Sequence, residues 1–191
     1  MPRTTKDQTR LKLRDAVVAE AVEKGFAGVS VGSVVKRAKV SAGTVYVHFV
    51  NKDDMLRKVY MELKSAFHET LMTASDAPDS AGMIRAMWFA MFDFVEAHPA
   101  QFLFLEFGAA ARILTPEQQA VADGYAQDIA ALLRRGVEDG TLAPLDTKLL
   151  SLLLVAPAMQ LARQAVLKDQ PIPRDTLNTT FDRVWRSISN T

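Results

Sequence analysis

The side chains best placed to do chemistry in this 191-residue chain crowd into one short stretch, residues 41–52, SAGTVYVHFVNK. Read at 100° per residue, residues 42–49 make a helix with Val45 and Phe49 on its inward side. Gly43, Thr44 and Val47 then point the opposite way, with Tyr46 and His48 on the two flanks. A helix that needs only to be soluble has no use for a glycine and a valine on its outer face. A helix lying in a DNA major groove has a use for both: the glycine lets backbone approach closely, and the valine meets a thymine methyl. Thr44 and Val47 would face base edges, whereas Tyr46, His48 and Lys52 would face phosphates. Lys52 also starts a helix, whose free N–H groups favour an anion.

The elements that must position this helix lie on either side. Val31, Val34, Val35 and Ala38 recur at helical spacing behind Ser30, which predicts a short capped helix. Lys39 and Val40 form the turn, Ser41 caps the second helix, and Asn51 caps a third. Two short helices around a tight turn are a helix-turn-helix.

The longer run GFAGVSVGSVVKRAKVSAGTVYVHFVNKDDML, residues 25–56, resembles the tetracycline-repressor (TetR) family of bacterial transcription regulators. The pattern Ser-x-Gly-Thr-x-Tyr-x-His-Phe followed by Asn-Lys-Asp carries the resemblance, which covers the first third of the chain by motif and the remainder by helix layout and length. It implies an all-α fold of about nine helices. Residues 1–51 would be a helix-turn-helix DNA-binding domain, and 52–191 a larger helical domain for ligand binding and dimerisation. The resemblance also implies a homodimer on a palindromic double-stranded operator, most often as a repressor, released by a small apolar or aromatic effector. Half-sites would lie one helical turn, roughly 34 Å, or a multiple of it apart. The DNA contacts would fall on Ser33, Ser41, Ala42, Gly43, Thr44, Tyr46, Val47, His48 and Lys52. Two positions depart from the family pattern. Lys39 stands where a turn glycine is common and is expected to hold a left-handed conformation at a small strain cost. Ala42 stands where a basic residue is common, which removes one base or phosphate contact.

Composition agrees with a reader joined to a different module. The net charge of +1 hides ten basic against four acidic residues in 1–52, and thirteen against eighteen in the rest. The chain has no cysteine, which excludes disulfides and thiolate metal sites and fits a reducing compartment. Its start, MPRTTKDQTR, is polar and basic with no apolar core behind it, so a cytoplasmic protein without a signal peptide is expected. The most apolar run, residues 149–162, is shorter than a membrane span and contains Ser151, Pro157 and Gln160. It reads as a buried helix, and no membrane partner is expected.

Along the chain, a first helix over 6–24 is expected behind a capping box of Thr5 and Gln8, with Leu13, Val17 and Ala21 inward, Gly25 as its stop and Phe26 as the plug of a small core. One or two of Arg3, Lys6, Arg10 and Arg14, those nearest the start foremost, are expected to meet phosphate. Residues 52–74 form a long helix that ties the DNA reader to the rest of the chain. Residues 80–98 are apolar on nearly every side, and Pro99 starts a helix with Phe102, Phe104, Leu105 and Phe107. Such helices are buried all round or line a cavity. Singly each Met or Phe reads as core; together they suit an adaptable pocket, with Trp88, Phe92, Phe102, Phe107 and Met159 as its candidates.

Further helices are expected from Thr115 to about 138, over 147–168 with a kink at Pro157, and over 174–188. The last two carry more apolar length than one neighbour covers. By the resemblance they pair with their symmetry mates as a four-helix bundle, with Leu153, Ala156, Leu161, Phe181 and Trp185 in the seam.

Enzymatic chemistry lacks its parts. His48, His68 and His98 form no helical metal-ligand spacing, and there is no phosphate-binding glycine loop or nucleophile elbow. No cofactor is expected. A helical small-molecule carrier without DNA binding is the alternative reading; it accounts for the aromatic segment but leaves Gly43, Thr44, Tyr46, Val47 and His48 without a role.

Overall fold

The computed structural model of the chain describes residues 6–190. Among them the fold is all-α: α1 (Lys6–Gly28), α2 (Val31–Ala38), α3 (Ala42–His48), α4 (Lys52–Ala74), α5 (Ser80–Ala97), α6 (Pro99–Ala111), α7 (Pro116–Glu138), α8 (Thr147–Lys168) and α9 (Arg174–Ile188). The expected cap at Thr5 and the phosphate contact at Arg3 lie outside the described residues.

Several helices start where the sequence supplies an acceptor for their free N–H groups, each such cap being worth about 1 kcal/mol. Ser30 accepts from Ser33 N, Ser41 from Thr44 N, and Asn51 Oδ1 from Asp54 N at 2.9 Å. Thr115 and Gln118 form the expected reciprocal box, with bonds of 3.2 and 3.3 Å. Gly25, at φ 70° and ψ 162°, breaks the helical path of α1, and a short helical turn then carries on to Gly28. α8 runs unbroken through Pro157.

The chain divides into two compact units, and the division does not fall at 51/52. Of the described residues, 6–65 pack together with 100–118, and 66–99 pack with 119–190. The reason lies in the first unit's core. Leu13, Val17, Ala21, Val34, Val45 and Met55 are fully enclosed there, but one long and two short helices offer too little apolar surface to close a core by themselves. Phe104 of α6 completes it, fully buried, with its ring 4.9 Å from Phe26 and 6.4 Å from Tyr60. Phe26 therefore plugs the core against α6 as well as the helices expected. Close approach is made possible by Gly108: a Cβ there would lie 2.5 Å from the Tyr60 ring and 3.1 Å from Phe26.

In the second unit, Trp88 stands 5.5 Å from both Phe92 and Phe181, and Phe181 stacks on Trp185 at 5.9 Å. Phe181 is thus buried within its own chain, not held free for a dimer seam. Its place in the apolar stripe of α9 faces α5, and stripe membership alone does not tell which partner covers it. α8 departs from the expected buried helix in the opposite sense. Leu150, Ala158 and Ala162 are its buried residues, whereas Leu149, Leu152, Val155 and Leu167 are exposed. Leu152 and Leu167 are 61% and 62% open. At about 100° per residue, Leu149, Leu152, Ala156 and Leu167 share one narrow face.

Candidate nucleic-acid interface

α2 and α3 are joined by a turn of three residues. Lys39 takes the left-handed conformation the sequence called for, φ 55° and ψ 46°, and its N–H donates to Val35 O. Val40 N donates to the same carbonyl at 3.3 Å. These bonds fix where Ser41 can start α3. The Ser41 hydroxyl accepts from Thr44 N at 3.1 Å and lies 2.8 Å from Thr44 Oγ1.

The two sides of α3 separate as the helical period requires. Val45 is fully buried and Phe49, its C-cap, nearly so. Val47 is 74% exposed and Tyr46 59%, so neither serves the core of the folded unit. Ser41, Ala42 and Gly43 are exposed, and Thr44 and His48 half-buried. A Cβ at Gly43 would meet nothing closer than the Ser41 hydroxyl, 3.7 Å away. The glycine is thus not required by the fold. Val50, 75% exposed beside this face, is a further open apolar side chain outside the motif pattern. Its signal was available: a valine directly before the Asn51 cap has no helical face to occupy.

Ser33 differs from the others. Its hydroxyl accepts from Ser30 N at 3.2 Å and donates to Ser30 O at 2.9 Å, closing the capping box of α2. It is half-buried and already committed.

α2 is held against α1 by an ionic cluster. Glu20 is 3% exposed, and its carboxylate accepts from Lys24 Nζ and Arg37 Nε, each at 2.7 Å. Arg37 also donates to Glu23. Hydrogen bonds from Lys24, Ser33 and Arg37 outweigh burial and hold the Glu20 carboxyl down to about 2. At the start of α4, burial raises Asp54 but the Val50 N–H and Lys58 outweigh it, and its pKa is lowered. Val50 N donates to Asp54 Oδ2 at 2.9 Å, which fixes the segment between α3 and α4.

The basic residues divide into committed and free. Lys52 Nζ donates to Ala27 O at 2.7 Å, tying α4 to the end of α1. Arg10 and Arg14, two of the four phosphate candidates, are turned to Glu62 of α4 at 2.8 and 3.6 Å, with Arg14 also on Asp15 at 3.0 Å. A carboxylate on α4 at the matching height captures them, a long-range partner that local spacing does not reveal. Lys36, in the last turn of α2, and Lys39, at the turn, are exposed.

The five expected pocket residues are not brought together in one unit. Trp88, Phe92 and Met159 belong to the second unit, Phe102 and Phe107 to the first. Trp88 and Phe92 pack on each other, and the buried Trp88 Nε1 has no acceptor among the described residues. A cavity of about 190 Å³ in the second unit takes only Phe92 from the five.

Comparison with known proteins agrees with this arrangement. Residues 13–59 match the family described as "Bacterial regulatory proteins, tetR family", and residues 83–189 match "Tetracyclin repressor-like, C-terminal domain". An uncharacterized HTH-type transcriptional regulator of Haemophilus influenzae is 26% identical over 175 residues, 86% of this chain and 87% of the relative. The fatty acid metabolism regulator protein of Bacillus subtilis is 22% identical over 165 residues, 84% of each. Among solved structures, a TetR family transcription regulator from Marinobacter aquaeolei VT8 shares the fold with a TM-score of 0.87, at 22% identity and 97% coverage of both chains.

Proposed function

The chain belongs to the TetR family of DNA-binding transcriptional regulators, and from that premise we propose that it acts in the cytoplasm as a homodimeric repressor that reads a palindromic operator with α3 and is released by a small apolar or aromatic effector. The observation that carries the reading is the outer face of α3. Val47 and Tyr46 are exposed, and Gly43 is free of any steric demand from the fold. These are costs or indifferences for an isolated protein, and assets against a groove. In this reading Thr44 and Val47 meet base edges, Tyr46 and His48 meet phosphate, and Ser41, Ala42 and Gly43 bring backbone close. Lys52 reaches phosphate with the two N–H donors left after Ala27. Lys36 and Lys39 add charge at the turn.

Dimerisation rests on the exposed face of α8. Leu149, Leu152, Ala156 and Leu167 offer an exposed apolar strip, and a two-fold partner presenting the same strip covers both copies at once. The effector's apolar character is supported by the aromatic cluster around Trp88 and by a relative that regulates fatty acid metabolism. α4 is one unbroken helix whose start belongs to the reader and whose end belongs to the second unit. A ligand that favours one placement of α4 over another therefore shifts DNA affinity by its preference between the two.

Gel-shift titration against the DNA upstream of the protein's own gene, in the presence of excess nonspecific DNA, tests the reading. A protected palindrome is the expected outcome; binding that competes away equally with any duplex would overturn it.

A further inference from the structure

The cavity of about 190 Å³ in the second unit lies at the corner where the ends of α5 and α8 meet the 169–173 connection. Phe92, Val166, Ile172 and Leu177 give it apolar walls. Its charged lining is of one sign. Glu96 and Asp169 are both exposed carboxylates, neither paired with a basic side chain among the described residues, and no Lys or Arg lines the cavity. Arg174, close by in sequence, is turned to Asp93 at 3.5 Å and over the Phe89 ring at 4.3 Å.

The backbone adds to this bias. Glu96 is in the last turn of α5, and Ala165 and Val166 are in the last turn of α8. Both helices thus bring their carbonyl ends, the negative ends of their dipoles, to the same corner. Asp169 holds its place by taking the left-handed conformation, φ 49°, with its N–H donating to Val166 O at 3.2 Å. An apolar recess with two free carboxylates at its mouth disfavours anions and rewards a cation that carries hydrocarbon with it.

We propose that this cavity binds a small organic ammonium ion, its phenyl or short alkyl body between Phe92, Val166 and Leu177 and its cationic head between Glu96 and Asp169. The volume suits such a body, since a cavity of about 150 Å³ already holds a benzene ring. Around α8, Ala165 lies about 160° from Leu149 and Val166 about 100°, so the recess centres away from Leu149. The inference leans on the effector reading only in making this ion a release signal; the binding itself stands apart from it.

Isothermal titration calorimetry on the full-length protein, with benzyltrimethylammonium chloride as the cation and 3-phenylpropionate as its anionic counterpart, tests the site. The ammonium ion saturates one site per chain, and the carboxylate gives no saturable heat. The double variant Glu96→Gln, Asp169→Asn keeps its melting temperature and binds the ammonium at least about tenfold more weakly. Ala165→Phe, which fills the recess, abolishes binding. Equal binding of the two probes, an unaltered double variant, or no saturable heat from the wild type with the ammonium would each overturn the proposal. A parallel gel shift separates the two readings. An ammonium ion that binds without altering operator affinity leaves the site standing and removes its effector role, whereas release by another compound with no ammonium binding does the reverse.

Discussion

Arg37 Nε donates to Glu20 Oε1 across 2.7 Å, so the first helix of the helix-turn-helix is fastened to α1 by a carboxylate almost wholly out of solvent. Its pKa falls from 4.5 to about 2 on folding. A depressed carboxyl contributes stability that is complete above 4.5 and is lost as pH falls from there through about 2. Glu20→Gln should cost about 2 kcal/mol at neutral pH by urea denaturation, and the gap to wild type should close between pH 4.5 and 2. A gap that stays constant across that range would show that the carboxylate's charge is not what holds α2.

Gly43→Ala and Val47→Ala should separate folding from reading. Neither position is in the core, and helix propensity favours alanine over glycine by about 1 kcal/mol. The melting temperature of Gly43→Ala should hold or rise while operator affinity drops about tenfold or more. Val47→Ala should relax preference chiefly at one base pair, by about 1 kcal/mol. Loss of stability without loss of specificity would return α3 to a packing role.

Lys52 has two duties in the proposed complex, and Lys52→Ala should show both. Removing the bond to Ala27 O lowers stability by about 1 kcal/mol. Removing one phosphate contact per half-site weakens all DNA sequences alike and flattens the salt dependence of binding by about two counterions per dimer. Unchanged salt dependence would assign Lys52 wholly to the junction of α1 and α4.

Lys39→Gly should stabilise the protein by about 1 kcal/mol, since glycine takes φ 55° without the Cβ clash a lysine bears. The same variant should bind DNA more weakly at low salt if the Lys39 ammonium contributes to the reading surface. Thermal melts and a salt series on one preparation check both halves.

The helix-turn-helix was legible almost to the residue because its determinants are local. Ser30, Ser41 and Asn51 cap what they were expected to cap, and Val45 and Val47 fall on the sides their spacing assigns. Element boundaries elsewhere were legible for the same reason, Thr115 with Gln118 being the clearest case. What sequence spacing did not show was which surfaces meet. Arg10 and Arg14 stand among the phosphate candidates because Glu62, some fifty residues on, has no local mark as their partner. Phe181 has the spacing of a seam residue and lies under Trp88 and Trp185, whereas Leu149, Leu152 and Leu167 carry the open apolar face. Periodicity says that a stripe is apolar. It does not say what will cover it.

Leu152→Asp should therefore disrupt the dimer where Phe181→Ala should not do so specifically. Light scattering at micromolar concentration should give a monomer for Leu152→Asp with helical content retained. Phe181→Ala should lower the melting temperature, by about 3 kcal/mol in stability, because it empties a core site. A Leu152→Asp protein that keeps its dimer mass would remove α8's outer face from the interface.

The contact of Gly108 with Tyr60, and of Phe104 with Phe26, has a consequence for descent. A gene that trades its sensor for a relative's by recombining at the junction after Asn51 would import a foreign α6, and with it a foreign side chain at the heart of the DNA reader. Any bulkier residue in place of Gly108 would drive a Cβ into the Tyr60 ring. The interchangeable part is consequently not a stretch of gene with two ends. A chimera joined after Asn51 would need the 100–118 segment spliced back from the parent that supplied the first helices.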